Sequence, residues 1–219
     1  MSAGDFIAGQ RRIGDVPRTT AAADRAAVSR VLARRTGPPS AWWGMVMLFT
    51  SEGMLFAAFI GTFFYLRFNN AHWPRLGDPE PKVIVPIILV AVLSTTSFLM
   101  QGAWRAARNG VLGTTRVLIA TALVVQSGYF AYEVYDFADE LKKMPVDRDA
   151  YSSIHYVLLG ADHGHVFVGL LFYVWLLWKL ARGLTTYRAN ALQAITWYTH
   201  FVNILTWIVI GAITSAAVG

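Results

Sequence analysis

The sequence predicts an all-α polytopic membrane protein, a bundle of five transmembrane helices with the N-terminus in the cytoplasm and the C-terminus outside. Three observations predict it. Apolar residues make up 55% of the 219 and charged residues only 15%, against roughly 25% charged in soluble domains. The apolar residues gather into five stretches, each long enough for the about 20 residues that a spanning helix needs. Lys and Arg crowd onto alternate connections, the pattern that cytoplasmic segments show.

The first stretch runs over 41–66 and holds one charge, Glu52. The second, 83–104, holds none, and the third, 117–135, holds only Glu133 near its end. The fourth, 152–178, contains Asp162 with His155, His163 and His165, and the fifth, 189–218, contains His200. Asn69-Asn70, Pro79 and Pro81, Asn109-Gly110, Pro145 and Arg182-Gly183 supply turn signals between them. No internal repeat is visible, which gives an inverted-repeat transporter little support.

Charge sets the expected orientation. The segment before Ala41 and the second and fourth connections hold 13 Lys and Arg against three acids. The first and third connections hold six Lys and Arg against seven acids. The net charge of +6 and pI near 9.8 are therefore a topology signal, and no nucleic-acid partner is expected. Residues 1–40 form a basic cytoplasmic tail without the apolar region of a cleaved signal peptide. Val28, Val31 and Leu32 at helical spacing among arginines read either as a short interfacial helix or as a disordered tail. Trp42, Trp43, Trp73, Trp104 and Trp178 stand near span ends as an aromatic belt.

Zero cysteines exclude a disulfide scaffold, thiolate metal sites and cysteine nucleophiles. No phosphate-binding glycine loop or strand-to-helix serine elbow is present. What remains is polar chemistry inside the bilayer, where an ionisable group costs at least about 2.5–3.5 kcal/mol and so faces protein or water. Glu52 lies roughly 16 Å from the start of its span, and His200 lies at a similar depth. Asp162 and His165 enter from the other side to within roughly 8 Å of that level. Depth therefore allows one polar cluster of Glu52, Asp162, His165 and His200. It reads either as a proton-linked or lipid-headgroup site or as a hydrogen-bond network that holds the bundle together. Two small-residue stripes, Gly53 with Ala57 and Gly61, and Gly160 with Gly164, are expected to pack helices. Of the five histidines, only His165 with His200 offers a pair for a haem, and His163 with His165 point to different helix faces, a poor metal site.

Four motifs resemble subunit III of the haem-copper terminal oxidases in its five-helix form. They are Ser51-Glu52-Gly53-Met54-Leu55-Phe56, Tyr132-Glu133, Asp162-His163-Gly164-His165-Val166 with Gly169, and Tyr198-Thr199-His200-Phe201-Val202-Asn203. Their order and spacing match the family across roughly residues 41–215. Asp162 stands where the family has histidine, His163 where it has glycine, and Asn203 where it has aspartate.

The resemblance implies a non-catalytic accessory subunit of a proton-pumping oxidase in a bacterial cytoplasmic membrane. It implies no cofactor on this chain, with haem and copper on partner subunits, and bound phospholipid. Subunit I would be the main contact, with subunit II and small subunits as further partners. Glu52, Glu133, Asp162, His165 and His200 would form the intramembrane polar site, with no catalytic or metal-ligating residue. The alternatives are an accessory subunit of a nitric oxide reductase, a five-helix haem b electron-transfer subunit, or a small transporter or scaffold using Glu52 and Asp162.

Overall fold

Each of the five apolar stretches forms a helix in the computed structural model, which describes residues 40–73, 82–183 and 185–215. The helices are α1 (Ser40–Asn69), α2 (Ile84–Arg108), α3 (Leu112–Lys143), α4 (Ala150–Ala181) and α5 (Thr186–Ser215). All five are long and apolar enough to cross a membrane, and no strand occurs among the described residues. Residues 1–39, where the basic tail is expected, and 216–219 lie outside the described residues.

Most helices run past the stretches read from the sequence. The largest difference is α3, which continues from Tyr135 to Lys143. Asp136, Asp139, Glu140, Lys142 and Lys143 end the apolar run but not the helix. Phe137 and Leu141 keep the helical period and pack against the core, so tertiary packing carries the helix onward. The α4 start is fixed locally. Asp149 accepts from the Ser152 backbone N–H at 2.8 Å, and the Ser152 hydroxyl accepts from the Asp149 backbone N–H at 3.1 Å, a reciprocal cap that satisfies two otherwise orphan donors. At the other end of α4, the Arg116 guanidinium donates to the carbonyls of Leu180 and Ala181 at 2.6 and 3.3 Å. Gly110 and Gly183 take φ of +76° and +97° in the short α2–α3 and α4–α5 turns, a region open to glycine at no steric cost.

Helices α2, α3, α4 and α5 form a ring in which each packs on two neighbours, while α1 packs on α4 and α5 and not on α2. Helix α5 is the central element, with 61% of its most apolar window buried, against 11% for α1. Two apolar cores fill the bundle. One lies toward the Asn69 end and gathers Phe56, Phe63, Tyr156, Leu158, Val202 and Val209. The other lies toward the Ser40 end and gathers Met100, Ile119, Tyr173, Leu176 and Leu192. Polar bridges stitch the ring: Asn203 Nδ2 donates to Ser97 Oγ at 2.7 Å, and the Tyr173 and Thr199 hydroxyls lie 2.8 Å apart. At the Ser40 end, Arg108 lies over Trp104, and Lys179 and Arg182 lie over Trp178. Such cation and indole pairs suit a headgroup layer.

The small-residue stripes correct the sequence expectation. A side chain added at Gly53, Gly61, Gly160 or Gly164 would meet nothing within 4 Å, and Ala57 is exposed. These residues bring no helix of this chain into close approach, and Gly160 and Gly164 line a groove beside Phe130, Val134 and Phe137 of α3. Gly169 is the close-approach glycine instead: an added Cβ would stand 2.6 Å from Gln126 Nε2.

Candidate functional site

Helix α1 places Glu52 about 18 Å along its axis from Ser40, near the middle of a helix about 45 Å long. His165 of α4 meets it there, with Nε2 3.2 Å from Glu52 Oε2. The other ring nitrogen, Nδ1, lies 2.8 Å from the Ala161 carbonyl oxygen. A carbonyl only accepts, so Nδ1 carries a hydrogen. In a neutral ring Nε2 is then bare. A hydrogen bond between Nε2 and Glu52 therefore requires one further proton, held on either partner. The contact can be made in two forms, neutral acid with neutral ring or carboxylate with imidazolium. Phe56 stands edge-on to the His165 ring at 5.3 Å, and the Tyr198 hydroxyl donates to the His165 carbonyl at 2.9 Å. The Glu52 and His165 side chains stay 27% and 20% exposed, so the pair lies at the rim of the bundle and faces whatever surrounds it.

A second set of ionisable groups lies between α3, α4 and α5. His163 Nε2 is 3.1 Å from Glu133 Oε2, and both side chains are nearly buried. Phe137 stands edge-on to the His163 ring. Nearer the Asn69 end, His155 Nε2 is 3.3 Å from Glu140 Oε2, and Lys82 pairs with Asp136 and, at 3.7 Å, with Glu140. Asp162 is buried and accepts from the Thr206 hydroxyl at 2.8 Å.

The structure thus splits the expected four-residue cluster. Glu52 and His165 come together. Asp162 turns to Thr206 of α5, because residues three apart on a helix are offset by about 60° and so meet different neighbours. His200 turns to α2, with Nε2 3.4 Å from Gln101 Oε1. The ring nitrogens of His165 and His200 thus engage different partners, and the pair considered for a haem is not brought face to face. Glu133 joins His163, not Glu52. Among the described residues, no three His, Asp or Glu converge as a metal-holding group.

Sequence reasoning missed three features. It set His163 aside as a poor metal ligand, although His163 is the partner of Glu133. It gave His155 and Glu140 no role. It gave no role to Gln126, whose amide donates to the Val166 carbonyl at 2.8 Å across α3 and α4. A signal was there: Glu133 and Glu140 stand seven residues apart, and His155 and His163 eight apart. Carrying the helical period past Tyr135 would have aligned the two stripes.

No family model matches the chain. Individual relatives do. The chain is 32% identical to a protein named probable cytochrome c oxidase subunit 3 from Nocardia farcinica, over 75% of this chain and 82% of that protein. It is 27% identical to cytochrome c oxidase subunit 3 of Bacillus subtilis, over 76% of this chain and 81% of the relative. It is 25% identical to cytochrome c oxidase subunit 3 of Synechocystis, over 79% of this chain and 74% of the relative.

Proposed function

Because the chain belongs to the cytochrome c oxidase subunit 3 family of the haem-copper oxidases, we propose that it is the non-catalytic accessory subunit of a proton-pumping terminal oxidase. It packs on subunit I, with subunit II and small subunits nearby, and haem and copper reside on those partners. It lies in a bacterial cytoplasmic membrane with its N-terminus in the cytoplasm, the orientation that the basic second and fourth connections favour. The relatives' names favour cytochrome c over quinol as the complex's electron donor.

The observation that carries this reading is the Glu52–His165 pair. The pair would share one proton near the middle of a helix long enough to span, at the rim of the bundle and on its least buried helix. That position suits a subunit that supports proton uptake by a neighbour better than one that does chemistry itself. Lipid binding has its own support. An apolar groove of about 400 Å³ between α4 and α5 is lined by Leu171, Phe172, Trp175, Ala191, Ala194 and Ile195. Lys179 and Arg182 lie over Trp178 at the same end of α4. An acyl chain fits the groove, and the cations suit an anionic headgroup.

The test is an affinity pull-down of the chain from its native membrane in mild detergent, with a reduced-minus-oxidised spectrum taken before and after partner subunits are stripped away. Haem that arrives and leaves with larger partners is the expected result. Haem that stays on the isolated 24 kDa chain overturns the reading.

A further inference from the structure

The second set of ionisable groups is not used by the Glu52–His165 pair. It surrounds a cleft of about 40 Å³ between the start of α2 and helices α3, α4 and α5. A bound water needs about 10–15 Å³ of such space, so the cleft has room for about three. Lys82, Asp136 and Glu140 stand at its mouth, and His155, Glu133 and His163 line it farther in. An ionisable lining this dense is costly in a bilayer unless water or protein solvates it.

An independent observation points the same way. Among the described residues five buried polar side-chain atoms make no hydrogen bond, and three of them stand at or next to this cleft: His155 Nδ1, Tyr129 Oη and Asp162 Oδ2. Their residues are 6%, 3% and 1% exposed. His155 lines the cleft. Tyr129 lies one turn below Glu133 on α3, and its hydroxyl is within electrostatic reach of both Glu133 and Asp162. Buried polar atoms are hydrogen-bonded as a rule, and water is the usual partner where protein supplies none. His155 thus belongs to the cleft's lining, and Tyr129 and Asp162 lie within electrostatic reach of Glu133, which lines it. Toward the Ser40 end Met100, Ile119, Leu176 and Leu192 are fully buried, and the polar groups among them, such as Tyr173 with Thr199 and Asn203 with Ser97, bond to one another, so no unpaired buried atom among the described residues extends the set past Asp162.

We propose that this cleft holds a short chain of bound water and carries protons between the phase at the Asn69 end and Asp162. A proton taken up at the mouth passes by water through the His155–Glu140 and Glu133–His163 pairs to Asp162 Oδ2. Each group that gives up a proton regains one from the side of the phase, so charge and protons balance and no redox partner is needed. The groups facing Asp162 are Tyr129 and Glu133 of α3, His163 and His165 of α4, and Tyr198 of α5. Helix α1 contributes Glu52 through His165, and Lys82 sits at the mouth before α2. A dead-ended path stores a proton without leaking it across the membrane. The proposal rests on the membrane-spanning fold alone and does not depend on the accessory-subunit reading.

The experiment uses the purified chain with the partners it retains, in proteoliposomes. The chain has no cysteine, so Asn70→Cys labelled by an impermeant maleimide reports which phase bathes the Asn69 end. Infrared difference spectra then follow the carboxylic acid C=O band that Asp162→Asn removes, an exchange that leaves an oxygen to accept from Thr206. The band should respond to the pH of that phase, stepped through the histidine range of about 5 to 8, while the opposite phase is held constant. Ile213→Phe, which fills the cleft from α5, and His155→Gln, which interrupts it from α4, should each slow the response by roughly tenfold. Co-purification yield confirms that each variant folds, and either plug serves if the other does not. A band that follows the opposite phase, a response that ignores a folded plug, or no band specific to Asp162 in that range overturns the proposal.

Discussion

Glu52 Oε2 and His165 Nε2 lie 3.2 Å apart although 113 residues separate them in the chain, and the second ring nitrogen of His165 is committed to the Ala161 carbonyl. That commitment leaves one proton to be shared with Glu52. Glu52→Gln preserves it in neutral form, because the amide N–H donates to the bare Nε2. Glu52→Ala removes the partner and leaves a desolvated imidazole nitrogen, at a cost of about 1–3 kcal/mol. The expected outcome is that Glu52→Gln assembles and holds its Tm near wild type. Glu52→Ala assembles with full haem content but loses activity faster during turnover and retains less lipid. Haem quantitation, phosphate analysis and the time course of oxygen uptake check this. Loss of haem from the Glu52→Ala complex would count against an accessory role.

The glycines divide into two classes with opposite expected responses. At Gly53, Gly61, Gly160 and Gly164 an added methyl meets nothing in the chain. Alanine there should be neutral or stabilise the isolated chain by up to about 1 kcal/mol through helix propensity. At Gly169 the methyl meets the Gln126 amide, which is buried and donates to Val166. Gly169→Ala should displace that amide and destabilise by about 1–3 kcal/mol. Gln126→Ala should then relieve the clash, so the double variant should be less destabilised than the two singles added together. Thermal unfolding of these variants in detergent measures both classes.

The fold was largely legible from sequence, and the site only partly. Apolar run length found every helix because a bilayer fixes a minimum span. It misplaced the end of α3 because charges at Asp136 and Glu140 end a hydropathy run without ending a helix that still buries Phe137 and Leu141. Depth arithmetic brought Glu52 to His165 correctly, since depth is a property of each helix alone. It failed for His200 and Asp162 because rotation about the helix axis depends on which helices are neighbours. The ring of α2 to α5, with α1 outside it, is a fact of packing. The glycine stripes failed for the same reason: spacing shows that small residues share a face, not which way the face points.

Lys82 at the cleft mouth gives a prediction about pH. Burial works against its charge, but the hydrogen bond to Asp136 and the charges of Asp136 and Glu140 outweigh it and hold the amine above its ordinary 10.5. A raised lysine pKa stabilises the fold fully below the unfolded-chain value and stops doing so as pH rises through the folded value. Both lie above the neutral range. The destabilisation caused by Lys82→Met should therefore be constant between about pH 6 and 9. Its size should be about 0–1 kcal/mol and fall at high salt, because the pair is partly exposed. Tm values of both proteins at two pH values and two salt concentrations settle it.

Asn203 closes the ring between α5 and α2, and its contribution is measurable as a coupling. Its amide donates to Ser97 Oγ at 2.7 Å and lies 3.2 Å from Thr96 Oγ1 and 3.4 Å from the Leu93 carbonyl. The central helix leaves the amide no water to turn to, since Asn203 is 5% exposed. Measured interhelical hydrogen bonds in membranes average about 0.6 kcal/mol and reach about 1.7, because the unfolded helices also find partners in the bilayer. A double-mutant cycle of Asn203→Ala with Ser97→Ala should give a coupling in the upper half of that range, as the 2.7 Å contact is the shortest of the three. Asn203→Leu should destabilise less than Asn203→Ala, because the leucine fills the space while the Ser97 and Thr96 hydroxyls fall back on their own helix. For Thr96 that fallback is already made, at 2.6 Å to the Leu93 carbonyl. A coupling of zero would show that the α2–α5 contact is held by its apolar side chains alone.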